Sequence, residues 1–161
     1  MSELWEAIKG LGAVVGIMTG LFVLWDRFYK MSPVAVVTTH ADEDGWVKTT
    51  HLRVWNPSDR PILISWRNGA PGNLRIAIDH SIQNIVTAAV GGAQTIVVES
   101  GQQKDLLLLK PEGYNAIDRE NRVEAELFWR YAQPKIWQRD RRIRVSIPKA
   151  SLMIMDPDYF D

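Results

Sequence analysis

The chain has 161 residues, enough for one domain and a short appendage. Lys plus Arg equals Asp plus Glu at 19 each, and the balance holds on either side of Pro33, three and three before it, sixteen and sixteen after. No net field therefore draws the protein to nucleic acid, and the absence of cysteine excludes disulfides, thiolate zinc sites and a Cys nucleophile.

The first element is "IKGLGAVVGIMTGLFVLWDRFYK", residues 8 to 30. Leu11 to Trp25 carries no charge over fifteen residues, and Ala7 to Trp25 is nineteen residues with Lys9 as its only charge, near the length that crosses hydrocarbon. Trp5 and Trp25 stand about 30 Å apart on a helix, and Phe28 and Tyr29 extend the second aromatic belt. Residues 1–30 are thus expected to form a single transmembrane anchor with membrane lipid as partner. An acidic start at Glu3 and Glu6 argues against a cleaved signal; a helix packed on protein is the competing reading, because fifteen residues is short.

Gly12, Gly16 and Gly20 fall on one helical face, which lets two backbones approach in lipid and points to a homo-oligomer. The general abundance of Gly in membrane helices accounts for the spacing equally well. One Lys precedes the run while Arg27 and Lys30 follow it, so the positive-inside count favours a cytoplasmic carboxy-terminal domain by two to one.

After a junction at residues 31–33, the pattern changes to short alternating runs over residues 34–161. In chain order these are "VAVVTTH", "WVKTTHLRVWN", "PILISWRN", "NLRIAID", "QTIVVES", "DLLLLK", "VEAELFWRY", "RRIRVSI" and "SLMIM", bounded by Gly, Pro, Asn or Asp clusters. This predicts an all-β antiparallel sandwich of about seven to nine strands, with a small closed barrel as the runner-up. Val123, Ala125, Leu127 and Trp129 alternate with Glu124, Glu126, Phe128 and Arg130, so the first set should face the core. Leu106 to Leu109 has no polar face and should be a central strand covered on both sides. The only helical signal recognised in this region is "YNAIDRENR", and "NPSDRP" reads as an exposed turn carrying Ser58.

The stretch "LRVWNPSDRPILISW" resembles the hairpin that opens the second sheet of immunoglobulin-like sandwiches, with Trp66 as the core aromatic. The resemblance is to a fold alone, lacks the Cys pair of antibody domains, and implies no activity.

Signatures of the common enzyme classes are missing: no G-x-S-x-G, H-E-x-x-H, Walker loop or dinucleotide fingerprint occurs. His40, His51 and His80 with Asp42, Glu43 and Asp44 raise a metal or general-base reading, but "HADEDG" lacks the spaced ligand series of a calcium loop. Asp79, His80 and Ser81 are triad residue types, yet neighbours on a strand point to opposite faces. "RDRRIR" at Arg139 to Arg144 reads as a charged strand edge in preference to a lipid-headgroup patch.

If Leu52 and Val54 face inward, Trp55 faces out beside Arg53, and by the same parity Phe128 lies out beside Arg130. Exposed aromatics next to Arg are typical interface anchors; with Trp137 they form a candidate partner-binding face, unless a loop covers them. The expected protein is a membrane-anchored binding or scaffolding module, without catalysis or cofactor, that engages an unidentified protein partner. The alternative is a small effector whose assembled helices perturb the bilayer.

Overall fold

The computed structural model describes residues 2–28, 32–41, 48–133 and 139–161, with backbone alone for 2–9, 26–28, 41 and 158. The chain forms two units, residues 1–32 and 33–161. The first is a helix, α1 (Ser2–Phe28). Its described side chains, Gly10 to Trp25, are all exposed. Among the described residues no helix is long and apolar enough to cross a membrane. The expected transmembrane segment is therefore not supported by the described residues alone.

The second unit is mostly β, in two separate antiparallel sheets of four strands. β1 (Val34–Ala41), β2 (Lys48–Trp55), β6 (Gln103–Leu109) and β4 (Arg75–Ala77) pair in that order, and β5 (Ala93–Val98), β3 (Ile62–Arg67), β7 (Arg122–Tyr131) and β8 (Arg141–Pro148) form the other. Among the described residues, eight strands in two sheets are consistent with the expected sandwich. Alternation decides the faces: along β7 Val123, Ala125, Leu127 and Trp129 are buried while Glu124, Glu126, Phe128 and Arg130 are half-exposed. The core joins these to Leu52, Val54, Ile64 and Trp66.

Trp66 Nε1 donates to the Ile76 carbonyl at 2.8 Å, and Asn68 bonds both the carbonyl and the amide of Ile76 at 2.9 and 2.7 Å. This ties β3 of one sheet to β4 of the other, and satisfies an indole that would otherwise carry a buried, unpaired donor.

β8 is an edge strand, and its arginines are used against β7: Arg142 pairs with Glu126, Arg144 Nε lies 3.2 Å from Glu124, and Arg141 sits 5.1 Å over the Trp129 ring. The basic stretch is thus a cross-strand charge ladder on an edge.

Three helices were not anticipated. α2 (Ile82–Ala89) follows β4, where the sequence reads only as a link between strands. α3 (Lys149–Met155) replaces the ninth expected strand, "SLMIM": the Lys149 and Ala150 amides donate to the Asn121 and Arg119 carbonyls at 2.9 and 3.0 Å, fixing a helix start that overrides the β-rich composition. Lys149 Nζ reinforces this start by donating to the Tyr114 and Ile117 carbonyls at 2.9 and 2.7 Å. α4 (Pro157–Phe160) follows, and the predicted helix in "YNAIDRENR" shortens to one 3₁₀ turn, Tyr114–Ala116.

The turn "NPSDRP" is not the exposed loop expected. Asn56 is fully buried: its Nδ2 donates to the Arg60, Val98 and Glu99 carbonyls at 2.8 to 3.1 Å, and its Oδ1 accepts from the Ser58 amide and hydroxyl. Ser58 is only 2% exposed. Asn56→Ala removes the side-chain donor to the Val98 carbonyl and the acceptor that holds Ser58, while the Arg60 and Glu99 carbonyls keep the Ser58 hydroxyl and the Gln102 amide; it is expected to destabilise the sandwich by about 2 to 4 kcal/mol, read from urea unfolding. A loss below about 1 kcal/mol would mean that water replaces the side chain there.

Candidate functional site

The outward residues of β2 are Thr49, His51, Arg53 and Trp55, since Thr50, Leu52 and Val54 are buried. Register sets Thr38 of β1 and Leu107 of β6 opposite His51, and Val36 and Asp105 opposite Arg53. Arg53 closes on Asp105 through two parallel bonds, Nε to Oδ1 at 2.8 Å and Nη2 to Oδ2 at 2.9 Å, the fork geometry that makes guanidinium–carboxylate pairs strong. Hydrogen bonding from Arg53 holds the Asp105 carboxyl below its ordinary value of 3.8, with burial opposing and the Arg53, His40 and His51 charges assisting. The same bond raises Arg53.

His40 Nε2 lies 2.8 Å from Arg53 Nη2 and 3.1 Å from Asp105 Oδ2. One nitrogen cannot serve both at once. A neutral imidazole with its proton on Nδ1 accepts from Arg53, whereas one with a proton on Nε2, neutral or charged, donates to Asp105.

His51 stacks edge-on against His40 with centroids 5.1 Å apart, and His80 against His51 at 5.6 Å. All three histidines of the chain therefore form one row on the outer face of the first sheet. His51 Nδ1 is 3.2 Å from the Thr49 carbonyl, so a neutral ring donates there. Burial lowers the His51 pKa from 6.5; the Thr49 bond resists, His40 and His80 lower it further, and Asp105 resists weakly. Among the described residues no group of three or more His, Asp or Glu is arranged to hold a metal ion; Asp42, Glu43 and Asp44 lie outside the described residues.

His80 is also part of a cleft of about 340 Å³, with Leu107, Leu108, Leu109, Ile85, Lys48, Thr49, Asp156 and Tyr159. α2 makes its wall. Ser81 caps the helix by accepting from the Asn84 amide at 3.4 Å, and Asp79 braces the cap by accepting from the Ser81 amide at 2.8 Å and from Asn84 Nδ2 at 2.9 Å. These bonds, Ser81 first and then Asn84, hold the Asp79 carboxyl at about 2. The triad residue types Asp79 and Ser81 are thus engaged at a helix start. At the other end Gly91 (φ +77°) and Gly92 donate to the Ala88 and Thr87 carbonyls at 3.3 and 2.9 Å, a Schellman close that needs the left-handed conformation at Gly91.

The anticipated partner face is divided. Arg53 and Trp55 lie on the outer face of the first sheet, whereas Phe128 and Arg130 lie on the outer face of the second, because parity distinguishes in from out but not one outer face from the other. Arg53 is engaged by Asp105, and Arg130 lies 3.8 Å from Asp140. Trp55 is 48% exposed and sits opposite Val34, with Val36 nearby and also exposed, so its company is aliphatic. Trp137 and Tyr29 lie outside the described residues, and Trp5 and Phe28 are described only as helical backbone. Trp25 is exposed at the end of the apolar run, and a Cβ added at Gly12, Gly16 or Gly20 would meet nothing within 4 Å. The cluster of His40, His51, His80 and Asp105 was missed as a unit. Hairpin register would have paired the first two, but Asp105 and His80 arrive from distant sequence.

No protein-family model matches the chain, and no curated protein or solved structure matches it.

Because His51 titrates lower in the folded protein than its ordinary 6.5, the unfolded chain takes up the proton first as pH falls. Its stability contribution is complete above about pH 6.5 and is lost as pH drops through the lowered folded value; Asp105, also lowered, adds a second loss at more acidic pH. The melting temperature is expected to fall between about pH 7 and pH 5, and His51→Gln to flatten that slope. An equal slope in both proteins would show that the row of rings does not couple folding to protonation.

Proposed function

We propose that the protein is a single-pass membrane-anchored β-sandwich that binds a partner near the bilayer and self-associates through the glycine face of α1, with no catalytic role. The observation that carries this reading is the run from Gly10 to Trp25, every side chain exposed and none charged, with Leu11, Ile17, Met18 and Phe22 each more than 60% exposed. A continuous apolar surface of this kind is not stable in water and calls for lipid or protein around it.

Extension back to Ala7 lengthens the run to nineteen residues, about 28 Å of helix, with Lys9 near one end where its stem reaches the interface. The Thr19 hydroxyl donates to the Val15 carbonyl at 2.8 Å, satisfied within the helix as hydrocarbon requires. Arg27 and Lys30 against Lys9 favour a cytoplasmic sandwich, and the aliphatic surround of Trp55 makes Trp55, Val34 and Val36 the face for a protein partner.

Strand pairing supports an immunoglobulin-like reading of the sandwich. β1, β2, β6 and β4 pair as strands A, B, E and D do, and β5, β3, β7 and β8 as C′, C, F and G. The departure is in the chain, where β4 precedes β5.

Alkaline carbonate washing of membranes is expected to leave the chain in the pellet; release would mean that protein, not lipid, covers α1. Gly16→Leu is expected to weaken self-association about tenfold, measured by energy transfer between labelled copies in vesicles. Unchanged transfer would remove the glycine face from the interface.

A further inference from the structure

We propose that the cleft between the outer face of the first sheet, α2 and the carboxy-terminal turn binds a small amphipathic carboxylate, a molecule with one anionic head and an apolar tail of medium length. This goes beyond the function proposed above, since the cleft is separate from the Trp55 face proposed for a protein partner.

The cleft is built as an apolar slot with a polar rim. Leu107 and Leu109 point outward from β6, opposite in direction to the core residues Leu106 and Leu108, and α2 brings Ile85 against them. At about 340 Å³ the space is near the lower end for small-molecule sites, which take a few placed polar groups around an apolar lining. Burying a tail there removes apolar surface of both partners from water.

The rim decides the head group. It is formed by Lys48, Thr49 and His80, residue types that supply a cation, a hydroxyl donor and a ring able to donate, all suited to carboxylate oxygens. The one carboxylate among the lining residues, Asp156, is 4% exposed and already accepts the Tyr159 amide at 3.2 Å. A neutral tail can lie against that capped group, whereas an anionic head is met by Lys48, Thr49 and His80.

The test uses the full chain in lipid nanodiscs, titrated calorimetrically with octanoate and with 1-octanol, empty discs serving as the blank. Octanoate is expected to bind saturably at one per chain, and octanol at least about tenfold more weakly. Lys48→Gln is expected to weaken octanoate about tenfold without changing octanol, and Thr49→Trp, which fills the slot, to abolish both. Heats equal to the blank, equal binding of acid and alcohol, or indifference to Lys48→Gln would each overturn the proposal. Lys48 is exposed, so its variant leaves the fold intact and decides the matter if Thr49→Trp fails to fold. Failure here leaves the membrane anchor standing, and a chain released by alkali would still be expected to bind octanoate.

Discussion

Four consecutive leucines, Leu106 to Leu109, impose the constraint on which the sandwich is built. A strand apolar on both faces must be covered on both, and β6 lies inside its sheet between β2 and β4. Leu106 and Leu108 are buried against the second sheet, and Leu107 is buried with Ala77 and Ala88 beneath α2, with Ile85 and Leu109 packed alongside. An exposed outer face would have left β6 apolar to solvent, so the helix between β4 and β5 is a requirement of the strand it covers. The cleft is where this cover gives way to open sheet.

One strand away the same face turns polar. β2 alternates strictly and puts His51 and Arg53 outward, and the outward residue of β6 opposite Arg53 is Asp105. The two-pronged pair lets a carboxylate sit one position before the four leucines of β6, since a partly buried charge is tolerated when paired and hydrogen-bonded. His40 adds a third party that can bond one member or the other but not both. Because α2 starts at Ser81, its preceding residue His80 is delivered to His51, linking the polar row to the apolar slot.

Much of this was legible in the sequence, for reasons that differ by element. β7 and β8 were readable because one face of β7 is wholly apolar and the other carries Glu124 and Glu126, answered by Arg144 and Arg142. The two-sided burial of Leu106 to Leu109 was readable from composition, but not what covers it. The cover had signals, Ser81 before "IQN" and Gly91–Gly92 after "TAAV", which mark a helix start and stop; the short apolar run hid them. "SLMIM" misled because its helix is set by carbonyls of residues 119–121, far away in sequence. Ser58 misled because turn chemistry says nothing about burial, and Asn56 folds the turn inward by bonding three carbonyls. The partner face failed for a topological reason: Trp55 and Phe128 share a parity but not a sheet.

Outward-facing leucine on β6 holds α2 in place. Hydrogen–deuterium exchange of Leu107→Ala tests it directly, because the substitution removes the buried contact under the helix at a cost of about 2 to 4 kcal/mol. Amides of α2 are expected to lose protection while those of β3 and β7 keep theirs. Unchanged protection in α2, or an equal loss in α2, β3 and β7, would contradict it.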